Sequence, residues 1–117
     1  MKLITIDIKS EQQTVAEAIA QFLVEVDAYK MGGYKVMKVI HGYGSHGVGG
    51  AIKNAFLKKC EELKRRKAIF DYVCCDHWTP TNTVRKIATN YCPDLMADTE
   101  LYHLNPGCSI VVLDYGM

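Results

Sequence analysis

Two amphipathic helical stretches alternate with short β-rich runs along this chain, and that alternation restricts the possible folds more than any other feature. Apolar residues recur at steps of three and four from Val15 to Tyr29 and again from Ile52 to Leu63, which is the spacing of helices that lie on a sheet. The runs between them are rich in β-branched residues. The four predicted strands are residues 3–8, 34–40, 68–74 and 109–113. This order predicts an α/β domain.

Local signals predict where the helices begin and end. Thr14 and Glu17 fit a capping box at the start of the first helix, while Ser10 offers a rival start one turn earlier. The pair Gly32-Gly33 supplies the left-handed residue that often ends a helix. The second helix is expected from about residue 49 to 66.

The last third of the chain has weaker signals. Thr79-Pro80 predicts the cap of a short third helix, and an apolar stripe ends at Cys92-Pro93. Residues 94–104 have no clear period and are predicted to form a loop, followed by a turn at 105–107. Right-handed crossovers are expected to place the first two helices on one face of the sheet.

Length and composition set further limits. A chain of 117 residues allows one domain, and no apolar run approaches the length needed to span a bilayer. The first residues lack the features of a signal peptide, so we expect a cytoplasmic protein without a membrane partner. The five cysteines include no C-x-x-C pair, which predicts reduced, mostly buried thiols rather than disulfides or a zinc module.

A glycine-rich loop follows the second predicted strand. Residues 42–47 fit the G-x-G-x-x-G pattern, but a dinucleotide site needs a longer fold and a P-loop needs a Gly-Lys-Ser/Thr sequence that is missing. Glycine amides at the start of a helix favour an anion, so a phosphate is the predicted ligand. His41 either contacts that phosphate as a proton donor or acceptor, or only caps the loop backbone.

Positive charge is concentrated along and just after the second predicted helix. Residues 53–67 contain seven basic and two acidic residues, whereas the whole chain has a net charge of +1. Such a stretch indicates either a solvated helix face or a surface for polyanions. Tyr43 and Trp78 are candidates for stacking on bases, although packing is the simpler interpretation of each.

Taken together, these segments resemble the small MutS-related (Smr) domain family. The family hallmark is a strand ending in I-I-H-G-x-G, and Val39 to Gly44 read V-I-H-G-Y-G here. The helix start at 14–18 and the final segment 105–113 resemble the family too. The resemblance implies a single domain over residues 1–117, a two-layer sandwich with a four-stranded mixed sheet, and a bacterial subgroup with an insertion at about 76–104.

The chain departs from the family at its other signature. The family's Leu-Asp-Leu-His-Gly aligns with residues 6–10, so that Asp7 is kept while Lys9 replaces the histidine associated with nuclease activity. A lysine still attracts phosphate as a point charge. The resemblance therefore leaves two functions open: nucleic-acid binding with weak or no cleavage, and an endonuclease that nicks DNA or cleaves RNA with His41 as general acid or base.

The resemblance implies the following site. The catalytic candidates are His41, Asp7 and Lys9. The phosphate-binding candidates are Gly42, Tyr43, Gly44, Ser45, His46, Gly49, Gly50, Lys53, Lys64, Arg65, Arg66 and Lys67. No metal or cofactor is predicted. DNA and RNA both remain possible partners, and the ribosome is a partner by family analogy alone.

Overall fold

The fold is described from a computed structural model, which covers residues 3–9, 14–43 and 48–114. Strands and helices follow one another in the predicted order. They are β1 (Ile4–Asp7), α1 (Val15–Met31), β2 (Val36–Ile40), α2 (Val48–Arg65), β3 (Asp71–Cys74), α3 (Thr83–Tyr91), α4 (Thr99–Tyr102) and β4 (Cys108–Val112). Short 3₁₀ helices occupy Cys75–His77 and Pro93–Ala97.

The four strands form one mixed sheet in the order β1-β2-β4-β3. β1 pairs parallel with β2, whereas β4 lies antiparallel between β2 and β3. The predicted α/β class and the four-stranded mixed sheet are therefore confirmed. Because β1, β2 and β3 run in the same direction, their carboxyl ends lie at one edge of the sheet.

Helices α1 and α2 cover one face of the sheet, as the crossover rule predicts. Thr14 and Glu17 cap α1 reciprocally: the Glu17 amide donates to Thr14 Oγ1 at 3.1 Å, and the Thr14 amide donates to Glu17 Oε1 at 2.9 Å. Phe22 of α1 meets Phe56 of α2 edge to face, with ring centroids 4.8 Å apart. This apolar layer is the larger of two buried clusters. Gly33, with φ of +83°, is the left-handed residue after α1.

The segment between β3 and β4 covers the opposite face of the sheet. Its buried residues come from α3, α4 and the 3₁₀ helices, and they pack on Val36, Ile110 and Val112. The segment therefore adds a layer beyond the two formed by the sheet with α1 and α2. Trp78 belongs to this core and is only 3% exposed, which supports its packing role.

Two predictions for this segment are wrong. Thr79-Pro80 does not cap α3, because the helix begins later and the Asn82 side chain accepts the Arg85 amide at 2.9 Å. Residues 94–104 are not a plain loop, since a 3₁₀ helix and the single-turn α4 occupy most of them. Elements this short bury one or two residues each, so they leave no period in the sequence.

All five cysteines are free and buried, as predicted. Burial raises the pKa of the Cys60 thiol well above its ordinary value, so this group stays protonated. Within the described ranges, no helix is both long enough and apolar enough to cross a membrane.

Candidate nucleic-acid interface

The candidate site lies at the edge where the three parallel strands end. Asp7 of β1 pairs with Ile40 of β2, and β4 begins beside them with Cys108 and Ser109. On the far side of β4, Cys74 is the last residue of β3. Ligands of open α/β sheets bind at carboxyl ends of this kind. The loop from β2 to α2 starts here, as the sequence predicts.

His41 is fully buried beneath the start of that loop. Its ring Nδ1 lies 2.6 Å from the Gly42 carbonyl oxygen, and Nε2 lies 2.8 Å from Oγ of Ser109. The ring also packs on Phe56, with centroids 4.9 Å apart. These contacts fit a neutral imidazole that donates from Nδ1 to Gly42 and accepts the Ser109 hydroxyl proton at Nε2.

The surroundings of His41 keep it uncharged. Burial is the largest influence and lowers the pKa of His41 to about 4. The hydrogen bond to Gly42 and the negative charge of Asp76 oppose this shift, while the positive charge of Lys53 adds to it. At neutral pH the imidazole is therefore not a cation.

A glycine turn from the far end of the chain holds the loop in position. The amides of His41 and Gly42 both donate to the carbonyl oxygen of Gly107, each at 2.9 Å. Gly42 has φ of +74°, a conformation that favours glycine. A side chain at Gly107 would come within 3.2 Å of the Tyr43 ring. The Gly42 amide is thus used inside the protein, contrary to the expectation that it holds a phosphate.

The other loop candidates fall into three groups. Tyr43 is 56% exposed beside Gly107. Gly49 and Gly50 belong to the first turn of α2, whose leading amides have no partner within a helix. Gly44, Ser45 and His46 lie outside the described residues.

Asp7 and Lys9 reach the same edge, but Asp7 does not face His41. Alternation along β1 directs Ile6 and Ile8 into the core beneath α1 and α2, so Asp7 points to the opposite face of the sheet. The Asp7 carboxylate accepts the Lys9 amide at 2.9 Å. Lys9 itself is exposed. The structure therefore brings these backbones together without directing Asp7 toward the histidine.

The basic candidate residues lie near the two ends of α2. Lys53 lies near His41, whereas Lys64 and Arg65 end the helix about 17 to 18 Å farther along its axis, and Arg66 and Lys67 follow it directly. All four are exposed, but some of their charge is neutralised locally. Lys64 pairs with Asp71 at 3.2 Å, and Arg66 pairs with Glu62 at 3.3 Å.

A cleft of about 420 Å³ runs between α2 and the β3 edge and connects these two ends. Lys53, Leu57, Glu61 and Lys64 line one wall at helical spacing. Asp76, His77 and Asn82 lie across from them, and the sequence did not identify these three as site residues. The available signal was position: Asp76 closely follows the end of β3, much as His41 follows β2.

Asp76 brings a negative charge to the His41 region. Burial raises its pKa, but the neighbouring Cys74 thiol and the positive charges of His77 and Lys53 lower it by more. The pKa of Asp76 therefore lies below its ordinary value, and the group is ionised at neutral pH. Among the described residues, no cluster of three or more histidine, cysteine or acidic side chains is arranged to hold a metal.

Comparison with known proteins identifies the architecture. The crystal structure of the Smr domain of Thermus thermophilus MutS2 superposes with a TM-score of 0.55, covering 98% of this chain and 100% of that one. The fold is that of the Smr domain. Sequence identity with that domain is 18%, so the likeness concerns the fold. No family model and no curated protein matches the sequence.

Proposed function

We propose that this chain is a nucleic-acid-binding Smr-like domain that holds phosphates with its HGYG loop (residues 41–44) and α2, and that it cleaves nucleic acid weakly or not at all. The observation that carries this proposal is the state of His41. The imidazole is buried and both of its nitrogens are engaged, so it supports the loop from below. A positioned loop whose His41 is already engaged at both ring nitrogens fits binding better than catalysis.

The pKa of His41 adds to that argument. General acid–base catalysis works best with a group whose pKa is near the working pH. With a pKa of about 4, His41 is a poor proton donor at neutral pH. The endonuclease alternative would require His41 to leave both hydrogen bonds and become exposed when substrate binds.

Several features support phosphate contacts around the loop. The first turn of α2 contains Gly49 and Gly50 and no acidic residue, so its backbone can approach an anion closely and its dipole is not opposed. Lys53 follows one turn later, and Lys9 is exposed at the end of the adjacent strand. We assign the phosphate contacts to these groups, with Lys64, Arg65, Arg66 and Lys67 steering the strand at long range.

Family resemblance supplies the remaining parts of the proposal. Residues 76–104 would be an insertion relative to other Smr domains, and the protein would act in the cytoplasm of a bacterium. DNA and RNA are both candidate ligands, and a ribosomal partner rests on analogy.

The test measures binding and cleavage together, with labelled single-stranded RNA, single-stranded DNA and supercoiled plasmid. We expect affinity that falls steeply with salt, because bound lysines and arginines release counterions. Replacing Lys64, Arg65, Arg66 and Lys67 with glutamine should flatten the salt dependence. Lys86→Gln, which changes an exposed charge on α3, is the matched control.

Two His41 variants separate binding from catalysis. His41→Gln keeps a donor and an acceptor, while His41→Ala removes both, and thermal melting checks that each variant folds. Cleavage by the wild type that disappears in both folded variants would establish the endonuclease alternative. Salt-sensitive binding without cleavage would support the binding domain, and salt-insensitive or absent binding would contradict it.

A further inference from the structure

The cleft beside α2 has the wrong charge to hold a phosphate backbone. Its lining contains two lysines, Lys53 and Lys64, and three carboxylates, those of Glu61, Asp71 and Asp76. Lys64 is already paired with Asp71, and Glu61 accepts the Tyr72 hydroxyl at 2.8 Å. This lining does not attract a phosphate into the interior of the cleft. A neutral ligand with both donors and acceptors would fit it.

Asp76 provides a partly exposed carboxylate in the cleft. Its Oδ1 is buried and has no hydrogen-bond partner in the part of the chain that the structure describes, although the side chain as a whole is 37% exposed. Nε2 of the neighbouring His77 lies 3.7 Å from Oδ1, beyond hydrogen-bond length. The exposed part of the carboxylate can accept an N–H from a ligand in the cleft, and such a charge-assisted bond is among the stronger hydrogen bonds.

The rest of the cleft complements a flat heterocycle. Leu57 contributes apolar surface on the α2 wall. The Asn82 side-chain oxygen caps α3, and its NH₂ group carries two further donors. The volume of about 420 Å³ lies within the range of small-molecule sites, which is about 300 to 1,000 Å³.

We propose that this cleft receives an unpaired nucleobase from a single-stranded nucleic acid, with Asp76 accepting an N–H from the base edge. The inference rests on the proposed nucleic-acid function and specifies its ligand. Lys53 contributes to the cleft near His41, so a phosphate held by the loop would place the attached base close to the cleft entrance. A paired base cannot offer its Watson–Crick edge, so the site should select single strands over duplexes.

The decisive variant is Asp76→Asn, because the two possible roles of Asp76 predict opposite signs. If Asp76 accepts a hydrogen bond from a base, the change should weaken single-strand binding about tenfold, in line with a lost charge-assisted bond. If Asp76 only repels phosphates, removing its charge should strengthen binding. Asp94→Asn, at an exposed carboxylate on the other face of the sheet, should leave the affinity unchanged.

The experiment measures the affinity of the wild type, Asp76→Asn and Asp94→Asn for short homopolymeric single strands and for a duplex. We expect the wild type to prefer single strands. Asp76→Asn should lose that preference and should rank the homopolymers in a different order of affinity. Tighter binding by folded Asp76→Asn would overturn the base site, and so would equal affinity of the wild type for single strands and duplex. In either case, binding that still falls with salt would leave the proposed nucleic-acid function intact. Absence of binding to every probe would overturn both.

Discussion

Strand β2 and the residue that follows it bury two polar side chains, Lys38 and His41, whose charge states are opposite. Lys38 faces the layer built by the segment between β3 and β4, whereas His41 faces α2. Lys38 Nζ contacts Asp98 at 2.8 Å and Glu100 at 2.6 Å. Burial lowers the pKa of Lys38, but the two carboxylates raise it by more, so the ammonium stays charged. The two ring nitrogens of His41 meet a carbonyl oxygen and a hydroxyl group in place of carboxylates, and the imidazole stays neutral. Burial decides the charge only where no counterion compensates it.

These two regions meet at the glycine turn. Glu100, which pairs with Lys38, also accepts a hydrogen bond from the Asn105 side-chain NH₂ at 3.0 Å. Asn105 in turn accepts the Gly107 amide at 2.8 Å, and the Gly107 carbonyl holds the start of the HGYG loop. The ion network on one face is thereby connected to the candidate site on the other.

The largest expected effect comes from removing the buried cation. Lys38→Ala should lower the free energy of unfolding by about 3 to 5 kcal/mol, because Asp98 would lose its buried partner. Urea denaturation measures the change. Lys35→Ala, at the residue just before β2, is the matched control. Lys35 Nζ lies 3.7 Å from a carboxylate oxygen of exposed Asp114, and this surface pair should contribute about 1 kcal/mol or less. Similar losses in both variants would contradict the contrast between a buried and a surface ion pair.

The neutral histidine predicts sensitivity to acid. In the unfolded chain His41 takes up a proton near its ordinary pKa of 6.5, whereas in the native protein its pKa is about 4. The contribution of His41 to the free energy of unfolding is therefore fully present above the unfolded pKa. It is lost as pH falls from about 6.5 to about 4, by about 3 kcal/mol in total. Urea denaturation of the wild type and His41→Gln across this range should reveal the difference. His103→Gln, at an exposed site, should keep the full acid dependence. An unchanged dependence in His41→Gln would refute the assignment.

Local patterns in the sequence were enough to predict most of the framework. The reciprocal cap at Thr14 and Glu17 involves neighbours only, and the stripes of α1 and α2 reflect one continuous buried face each. The α3 start was mispredicted because Thr79-Pro80 has the composition of a cap, while Asn82 makes the bond. Short-range composition does not reveal which of two nearby capping residues will be used.

The candidate site was predictable in position but not in character. The motif located His41 at a strand end, yet its burial depends on Phe56 and on Ser109, a partner 68 residues away. Asp7 and Asp76 both lie close to the end of a strand. The pleat of β1 directs Asp7 away from α2, whereas the 3₁₀ helix after β3 places Asp76 in the cleft beside α2. Such long-range relations leave no mark on the spacing of residues.

A smaller effect should follow from the backbone of the HGYG loop. Gly42→Ala places a side chain at φ of +74° and should cost about 1 to 2 kcal/mol. Two other glycines calibrate this value in thermal melts. Gly33 has φ of +83° with nothing near its missing Cβ, so Gly33→Ala reports backbone strain alone. Gly32 has φ of −78°, so Gly32→Ala should cost little. If Gly42→Ala behaved like Gly32→Ala, the left-handed turn under the loop would not be a constraint.

The smallest effect tests whether the two buried regions are coupled at all. Asn105→Ala removes the bonds to Glu100 and to the Gly107 amide and should cost about 1 kcal/mol, compared with almost nothing for Asn90→Ala at an exposed position of α3. A double-mutant cycle of Asn105→Ala with His41→Gln then measures the connection. Residues in one hydrogen-bond network usually couple by about 0.5 kcal/mol or more, whereas independent sites add. Additive losses would mean that the Lys38 network stabilises only its own face of the sheet. The Gly107 carbonyl would then hold the loop independently of that network.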